Sequence, residues 1–202
     1  MQTTRIVLAT NNKDKIREIK KILNRLPAEI LTLKDFPGFP QVEETGITLE
    51  ENAILKAKTI CRFTHLPSLA DDSGLEVDAL LGAPGVRSSR FAGDHCSYQD
   101  NNRKLLKLMK DIPPEERKAR FICVVALAKG TDNIITVRGE LRGVIALYGK
   151  GTNGFGYDPV FYVPEMNKTL AQLTLNEKNE ISHRALAFNQ ARELILKGFP
   201  DD

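Results

Sequence analysis

The chain opens with a short, mostly apolar run at residues 5–9 (RIVLA), followed by Thr10-Asn11-Asn12, residue types that make turns and helix caps. Ile16, Ile19, Leu23 and Leu26 then recur at helical spacing, with Lys13, Lys15, Arg17, Lys20 and Lys21 between them. The pattern predicts strand, tight turn and amphipathic helix. A second strand is predicted over 29–33. After the Pro- and Gly-rich FPGFPQ, Thr48 and Glu51 have the spacing of a capping box. Ala53, Ala57, Ile60 and Cys61 form a candidate buried stripe on the helix that would start there.

Residues 68–80, SLADDSGLEVDAL, interrupt an apolar run with two adjacent carboxylates and Ser73-Gly74 before apolar residues resume. A glycine-punctuated loop, GAPGVRSSRFAG, follows. Leu105, Leu106, Met109 and Ile112 predict a helix over 100–112, which Pro113-Pro114 ends. Residues 121–128 and 134–137 read as strands of a hairpin joined by KGTDN. Further strands are predicted at 144–147 and 160–163, on either side of the turn-like GKGTNGFGYDP, and a helix over 181–196. Helices and strands alternate at first and strands adjoin later, without internal repeats. The expected fold is mixed α/β, a β-sheet with flanking helices, as a single domain over 1–202 with two lobes.

Composition narrows the possibilities. The 202 residues are 42% apolar and 27% charged, the profile of a globular protein with a core of its own. Lys and Arg total 29 against 26 for Asp and Glu, a net charge of +3 that gives no general basic footprint for nucleic acid. No run approaches the ~18 apolar residues of a membrane span, and the first residues lack a signal-peptide pattern. Cys61, Cys96 and Cys123 are odd in number and far apart, which suits reduced thiols in a cytoplasmic protein better than disulfides or a zinc site.

Four places could carry chemistry. At ATNNKDK, a strand delivering a polar turn into a helix presents unpaired N–H groups and the positive end of the helix dipole, and with Lys13 and Lys15 it suits phosphate oxygens. The structural alternative is a capped surface helix with solvated lysines. Neither a P-loop nor a G-x-G-x-x-G turn is present. Glu43-Glu44 and Asp71-Asp72 each precede a small polar residue and a glycine. Neighbours in a strand point to opposite faces, so at most one acid of each pair reaches a given site. One acid from each would suit a Mg²⁺ that keeps waters and binds phosphates. A carboxylate beside another and partly out of water also tends toward a raised pKa and base chemistry. Turn capping is the alternative, and it suits EETG better than ADDSG, where Leu66, Leu69, Ala70 and Leu75 argue for burial. In GTNGFGYDP, glycines allow close backbone approach while Phe155 and Tyr157 supply flat faces for a base; a hairpin with a core aromatic is the other reading. Ser182-His183-Arg184 is weak alone.

In order, ATNNKDKIREIKKIL, EETG with ENAILKA, ADDSGLEVDAL with GAPGVRSSRFAG, GTNGFGYDP and EISHRA follow the arrangement of one family. Over nearly its whole length the chain resembles the non-canonical purine nucleoside triphosphate pyrophosphatases, also called inosine or xanthosine triphosphate pyrophosphatases. The resemblance implies Mg²⁺-dependent hydrolysis of ITP, dITP and XTP to the monophosphate and pyrophosphate, cleansing the nucleotide pool, by a homodimer with its active site in the cleft between the lobes. It places Thr10, Asn11, Asn12, Lys13, Asp14 and Lys15 at the triphosphate and Glu43 and Asp72 at the metal, with Asp72 also the general base. Ser73 falls at a substrate contact; Phe155, Gly156, Tyr157, Asp158, Lys178, His183 and Arg184 fall around the nucleotide and its base. Asn52 and Lys56, on a matching helix, would support the phosphates. The chain departs from the family pattern with TNN for TGN, GTNG for GTGG, a charged Arg87, and Ala185 where glycine is common.

On this reading Asp72 stands at the end of a buried strand, while Asp71 faces the other way and steadies the turn or the metal's outer shell. Purine selectivity would come from donors (Arg184, His183 or loop N–H groups) to the 6-oxo group. Adenine's amino group would be left unpaired, a contrast worth about 10⁴-fold in a polar site. Two other readings are a nucleotide pyrophosphatase or phosphatase with another preferred base, and a nucleic-acid-binding module using the Lys-rich first helix with Phe155 and Tyr157. The second would bind with steep salt dependence, and the near-balanced charge and buried-looking acids oppose it.

Overall fold

A computed structural model describes residues 4–130 and 132–198. Among them, one sheet has the strand order β2-β1-β3-β5-β6-β7-β8, with β4 pairing on β3. The strands are β1 (Thr4–Leu8), β2 (Ala28–Thr32), β3 (Ser68–Val77), β4 (Pro84–Gly85), β5 (Lys118–Ala128), β6 (Ile134–Ile145), β7 (Phe161–Val163) and β8 (Lys168–Thr169). The helices are α1 (Lys13–Ile22), α2 (Leu49–Thr64), α3 (Tyr98–Leu108), α4 (Leu175–Ile181) and α5 (His183–Leu196). The mixed α/β expectation holds. No described helix is long and apolar enough to cross a membrane.

The chain divides into two compact units. The first comprises the described residues of Met1–Asp72, Cys123–Gly139 and Arg184–Asp202; the second comprises Ser73–Ile122 and Glu140–His183. In the first, β1 is parallel to both β2 and β3, and its unbroken apolar run Ile6-Val7-Leu8 is fully buried, as a strand covered on both faces requires. The apolar stripe of α1 (Ile19, Ile22, Leu23, with Leu26 just beyond) packs with Ile6, Leu8, Leu69, Cys123, Val125, Leu127 and the Ala185, Ala187, Phe188, Ala191 face of α5. Ala185, one of the departures from the family pattern, is thus core. The α2 stripe Ala53, Ala57, Ile60 and Cys61 is buried as expected. Its cap is Thr48, whose hydroxyl accepts from the Glu51 N–H, while the Glu51 carboxylate takes the N–H of Ile47.

The second unit has its own core of Leu75, Val77, Leu105, Met109, Phe121, Ile145, Phe161 and Val163. Arg117, 3% exposed, stands in this unit without a carboxylate partner in any described contact and donates instead to four backbone carbonyls. These are Met109 and Ile112, at and beyond the end of α3, and Ile145 and Ala146 at the end of β6. One planar guanidinium with five donors thereby ties a helix end to a strand end.

Several elements differ from expectation. The strands predicted at 134–137 and 144–147 are one twelve-residue strand, β6. Within it Gly143 lies where a Cβ would come within 2.5 Å of the Tyr162 carbonyl and 2.7 Å of the Phe161 ring. Close strand approach, not a turn, demands that glycine. The helix predicted over 181–196 is two: α4, and α5 after a break at Ser182, whose backbone is extended. β2 ends at Thr32, and a 3-10 turn begins at Leu33. β5 and β6 are sheet neighbours, and across their loop the Lys129 N–H donates to the Asn133 carbonyl. Thr131, inside the predicted KGTDN turn, lies outside the described residues.

Arg117→Ala should leave these buried carbonyls without donors and destabilise the protein by about 3–5 kcal/mol, measured by urea unfolding. A loss under ~1 kcal/mol would mean that water replaces the guanidinium freely.

Candidate functional site

The adjacent acids lie in the middle of β3, not at its end. Both are buried, at 2% for Asp71 and 7% for Asp72. Strand parity sends them to opposite faces. On one face Asp71, with Leu69 two residues before it, meets α1 and α5: its Oδ2 is 2.8 Å from Lys15 Nζ and 3.6 Å from Arg184 Nε. Arg184 in turn donates to Glu18 at 2.7 Å. Burial by itself would raise the Asp71 pKa, but Lys15 and Arg184 outweigh it and hold the carboxyl well below the usual range. The same acids hold Arg184 above its ordinary value against the effect of burial.

On the other face Asp72 meets α2. Its Oδ1 is 3.0 Å from Lys56 Nζ, and its Oδ2 accepts from Asn52 Nδ2 at 3.4 Å. Lys56 also reaches Glu44 Oε1 at 2.6 Å, so one ammonium bridges two carboxylates. Asn52, fully buried, accepts the Gly46 N–H through its Oδ1 and so ties the 43–46 turn to the helix that carries Lys56. A side chain at Gly46 would press on that amide at 2.7 Å, which accounts for the glycine. Burial raises the Asp72 pKa; Lys56 opposes this and Glu44 adds to it, and the net displacement is upward. Lys56 would be lowered by burial, yet Asp72 and Glu44 hold it above its ordinary value. An acid of this kind, still ionisable but biased toward taking a proton, suits a general base.

At the first pair the two acids differ in their surroundings. Glu43 was expected at the metal, but it is exposed, while its half-buried neighbour Glu44 shares Lys56 with Asp72. Residue type alone could not separate them. The signal that does so is tertiary, the reach of Lys56 from α2.

The first turn is more self-contained than expected. Asn12 caps α1, its Oδ1 accepting from the N–H groups of Asp14 (3.0 Å) and Lys15 (3.1 Å), and its own N–H donates to Thr10 Oγ1. Two of the donors expected at phosphate are therefore spoken for. Asp14 lies 3.4 Å from Arg17, and Asn11 and Lys13 are exposed. Lys15 remains on the inward side beside Asp71, one turn before Glu18. Glu18 was missed from sequence; its only hint is an acid between Ile16 and Ile19 on the inward face of α1.

A second cluster stands within the other unit. Asp158, 2% exposed, accepts from the Phe155 N–H (2.8 Å) and from Lys178 Nζ (2.5 Å), and Lys178 lies 4.9 Å from the Phe155 ring centroid. Lys178 comes from α4, so one buried ion pair fixes the GFGYDP loop to that helix. At Gly154, with φ +72°, a Cβ would sit on the Asp158 carboxylate, which explains the glycine. Asn153, the departure from GTGG, bonds through its Nδ2 to the Leu173 carbonyl. Tyr157 does not offer its ring as an open platform: it is 4% exposed and its hydroxyl donates to the Ser88 carbonyl. His183 is buried and stacked on Phe121 at 4.5 Å and 8°. Phe155 alone of the two expected aromatics is half-exposed. Ser73, directly after Asp72, is half-buried, and Arg87 is exposed. Arg184, expected near the base, pairs with Glu18 and lies beside Asp71.

Comparison with known proteins places this geometry in context. Residues 6–194 match the model of the Ham1 family. A dITP/XTP pyrophosphatase of Geobacter sulfurreducens is 53% identical over 184 residues, covering 91% of this chain and 92% of that protein. One from Desulforamulus reducens is 49% identical, covering 95% of each. A HAM1 protein structure from Coxiella burnetii superposes with a TM-score of 0.89 at 40% identity, covering 97% of this chain and 100% of that one.

Asp71→Asn removes a buried charge that faces both Lys15 and Arg184. It should cost about 3–5 kcal/mol of stability, read from chemical denaturation. A cost near zero would show that Glu18 alone suffices for both cations.

Proposed function

The chain belongs to the Ham1 family, and on that premise we propose that it hydrolyses non-canonical purine nucleoside triphosphates, ITP, dITP and XTP, to the monophosphate and pyrophosphate. The observation that carries this reading is Asp72, a buried carboxylate with an upward-displaced pKa, bridged through Lys56 to Glu44. It occurs in a chain about half identical to proteins named dITP/XTP pyrophosphatases.

Glu44 and Asp72 fit a Mg²⁺ ion. Two hard carboxylate oxygens are what this ion takes from protein when waters and substrate phosphates complete its shell. When bound, it would neutralise phosphate charge and favour departure of pyrophosphate. Asp72 takes the proton of the water that attacks the α-phosphorus, and Lys56 and Lys15 supply positive charge for the phosphate oxygens. Asp71 and Arg184 act behind Lys15, fixing its position. At the other cluster Phe155 presents its face to the purine, with Lys178 held beside the ring by Asp158. Donors near the base then favour a 6-oxo purine over adenine. We read the enzyme as one catalytic domain and as a cytoplasmic homodimer, supported by the family resemblance and, for the compartment, by three free cysteines.

Pyrophosphate release from ITP, dITP, XTP, ATP and GTP, with Mg²⁺ and with chelator, tests the reading. Turnover should be confined to the first three and abolished by chelator; equal rates on ATP and ITP would sink the account of the base site. Asp72→Asn should lower kcat by about 10²- to 10⁴-fold with much smaller loss of nucleotide binding. Glu44→Gln should weaken metal dependence about 10-fold or more, whereas Glu43→Gln should leave it within about 2-fold. The opposite ranking of the two glutamates would return the metal role to Glu43.

A further inference from the structure

The loop between β6 and β7 at Phe155–Tyr157 is gripped from a side that the motifs do not reveal. α3 runs beside it, and its residues Tyr98 and Asn102, spaced i and i+4, share one helix face. The Tyr98 ring lies 5.9 Å from that of Phe155, tilted by 43°. Asn102 Nδ2 donates to the Gly156 carbonyl at 2.9 Å, 54 residues along the chain. The preceding residue, Asn101, anchors α3: its Oδ1 accepts the Ala92 N–H and its Nδ2 donates to the Ser89 carbonyl. Tyr157 closes the circuit through its hydroxyl on the Ser88 carbonyl.

Asn102 is an odd residue for packing alone. It continues the inward stripe of α3 that Leu105, Leu106 and Met109 give to the core. Its Oδ1 is buried and accepts no hydrogen bond from the described residues. An unpaired buried acceptor destabilises, and an apolar side chain of similar size would avoid that cost. What the amide does achieve is orientation. Gly156 has φ +63°, and a Cβ there would meet nothing within 4 Å, so packing around that position does not constrain the peptide and the Asn102 amide is the contact that does. Because the peptide unit is planar, holding its carbonyl toward α3 also fixes the Tyr157 N–H on the opposite side and, through the chain, the Phe155 ring.

We propose that Asn102, aided by Tyr98, is a positioning residue for the purine: it holds the Gly156 peptide and the Phe155 ring in the geometry that binds the base. This rests on the assignment of the 155–158 loop to the base in the proposed function. The residue acts before chemistry, so its loss weakens binding of substrate and transition state alike.

Asn102→Leu separates this role from a structural one. KM for dITP and XTP should rise about 5- to 10-fold, the equivalent of one neutral hydrogen bond, with kcat within about 2-fold. The melting temperature should change little, because the lost Gly156 hydrogen bond is offset by removal of the unpaired acceptor. Hydrogen exchange of the peptide spanning the 155–158 loop should quicken in the variant, with no change in the β1 and β5 amides. An unchanged KM, or a fall in melting temperature with kcat and KM both impaired, overturns the proposal. If the wild type releases no pyrophosphate from either nucleotide, the functional reading fails. The exchange comparison then still decides: unaltered loop exchange refutes the role of Asn102.

Discussion

Two carboxylates side by side in a buried strand repel each other and lose their water, and β3 tolerates them because each faces its own cation. Asp71 meets Lys15 and Arg184 on the α1 and α5 side; Asp72 meets Lys56 on the α2 side. Parity in the strand makes this separation possible, since two acids on one face would compete for the same charges. The two faces then take different electrostatic characters. Asp71 is driven strongly toward its ionised form, whereas Asp72 is displaced toward taking a proton. Neighbouring residues of one type thus come to stand in opposite electrostatic surroundings.

The helices around β3 are placed by the same pairings as much as by the apolar core. Lys15 on α1 and Arg184 at the start of α5 converge on one carboxylate, and Glu18 takes the remaining charge of the arginine. A buried ion cluster of this sort adds little net stability over apolar packing, but losing one member leaves an uncompensated charge. Its value is registration. α1 can sit at one height only on the sheet if Lys15 is to reach Asp71 while Ile19, Ile22 and Leu23 fill the core.

The second unit solves a comparable problem by different means. Its glycine-rich loop has little side-chain mass of its own, so hydrogen bonds hold it: Asp158 grips the Phe155 N–H and Lys178, and Asn153 reaches the Leu173 carbonyl. Arg117, with backbone carbonyls as its partners, steadies the end of β6 that leads into the loop. In both units buried polar side chains are matched by named partners, and Gly46 and Gly154 stand where a side chain would strike the matching group.

Much was already written in local pattern. The apolar run Ile6–Leu8, the 16-19-23-26 spacing, the Thr48 cap and the ADDSG interruption set the first strand, two helices and the unusual buried acids, because periodicity and cap chemistry act over a few residues. Parity even required that Asp71 and Asp72 serve different faces. What the chain could not disclose locally was the partner across space. Glu44 and not Glu43 joins Asp72, because only Glu44 meets a lysine twelve residues away. Arg184 belongs with Glu18, 166 residues away. Gly143 allows close strand contact, and Asn102 reaches a loop whose motif lies far downstream. Local sequence determines which elements form and which face is apolar; the direction and ownership of each charge depend on long-range packing, which a short window of residues does not contain.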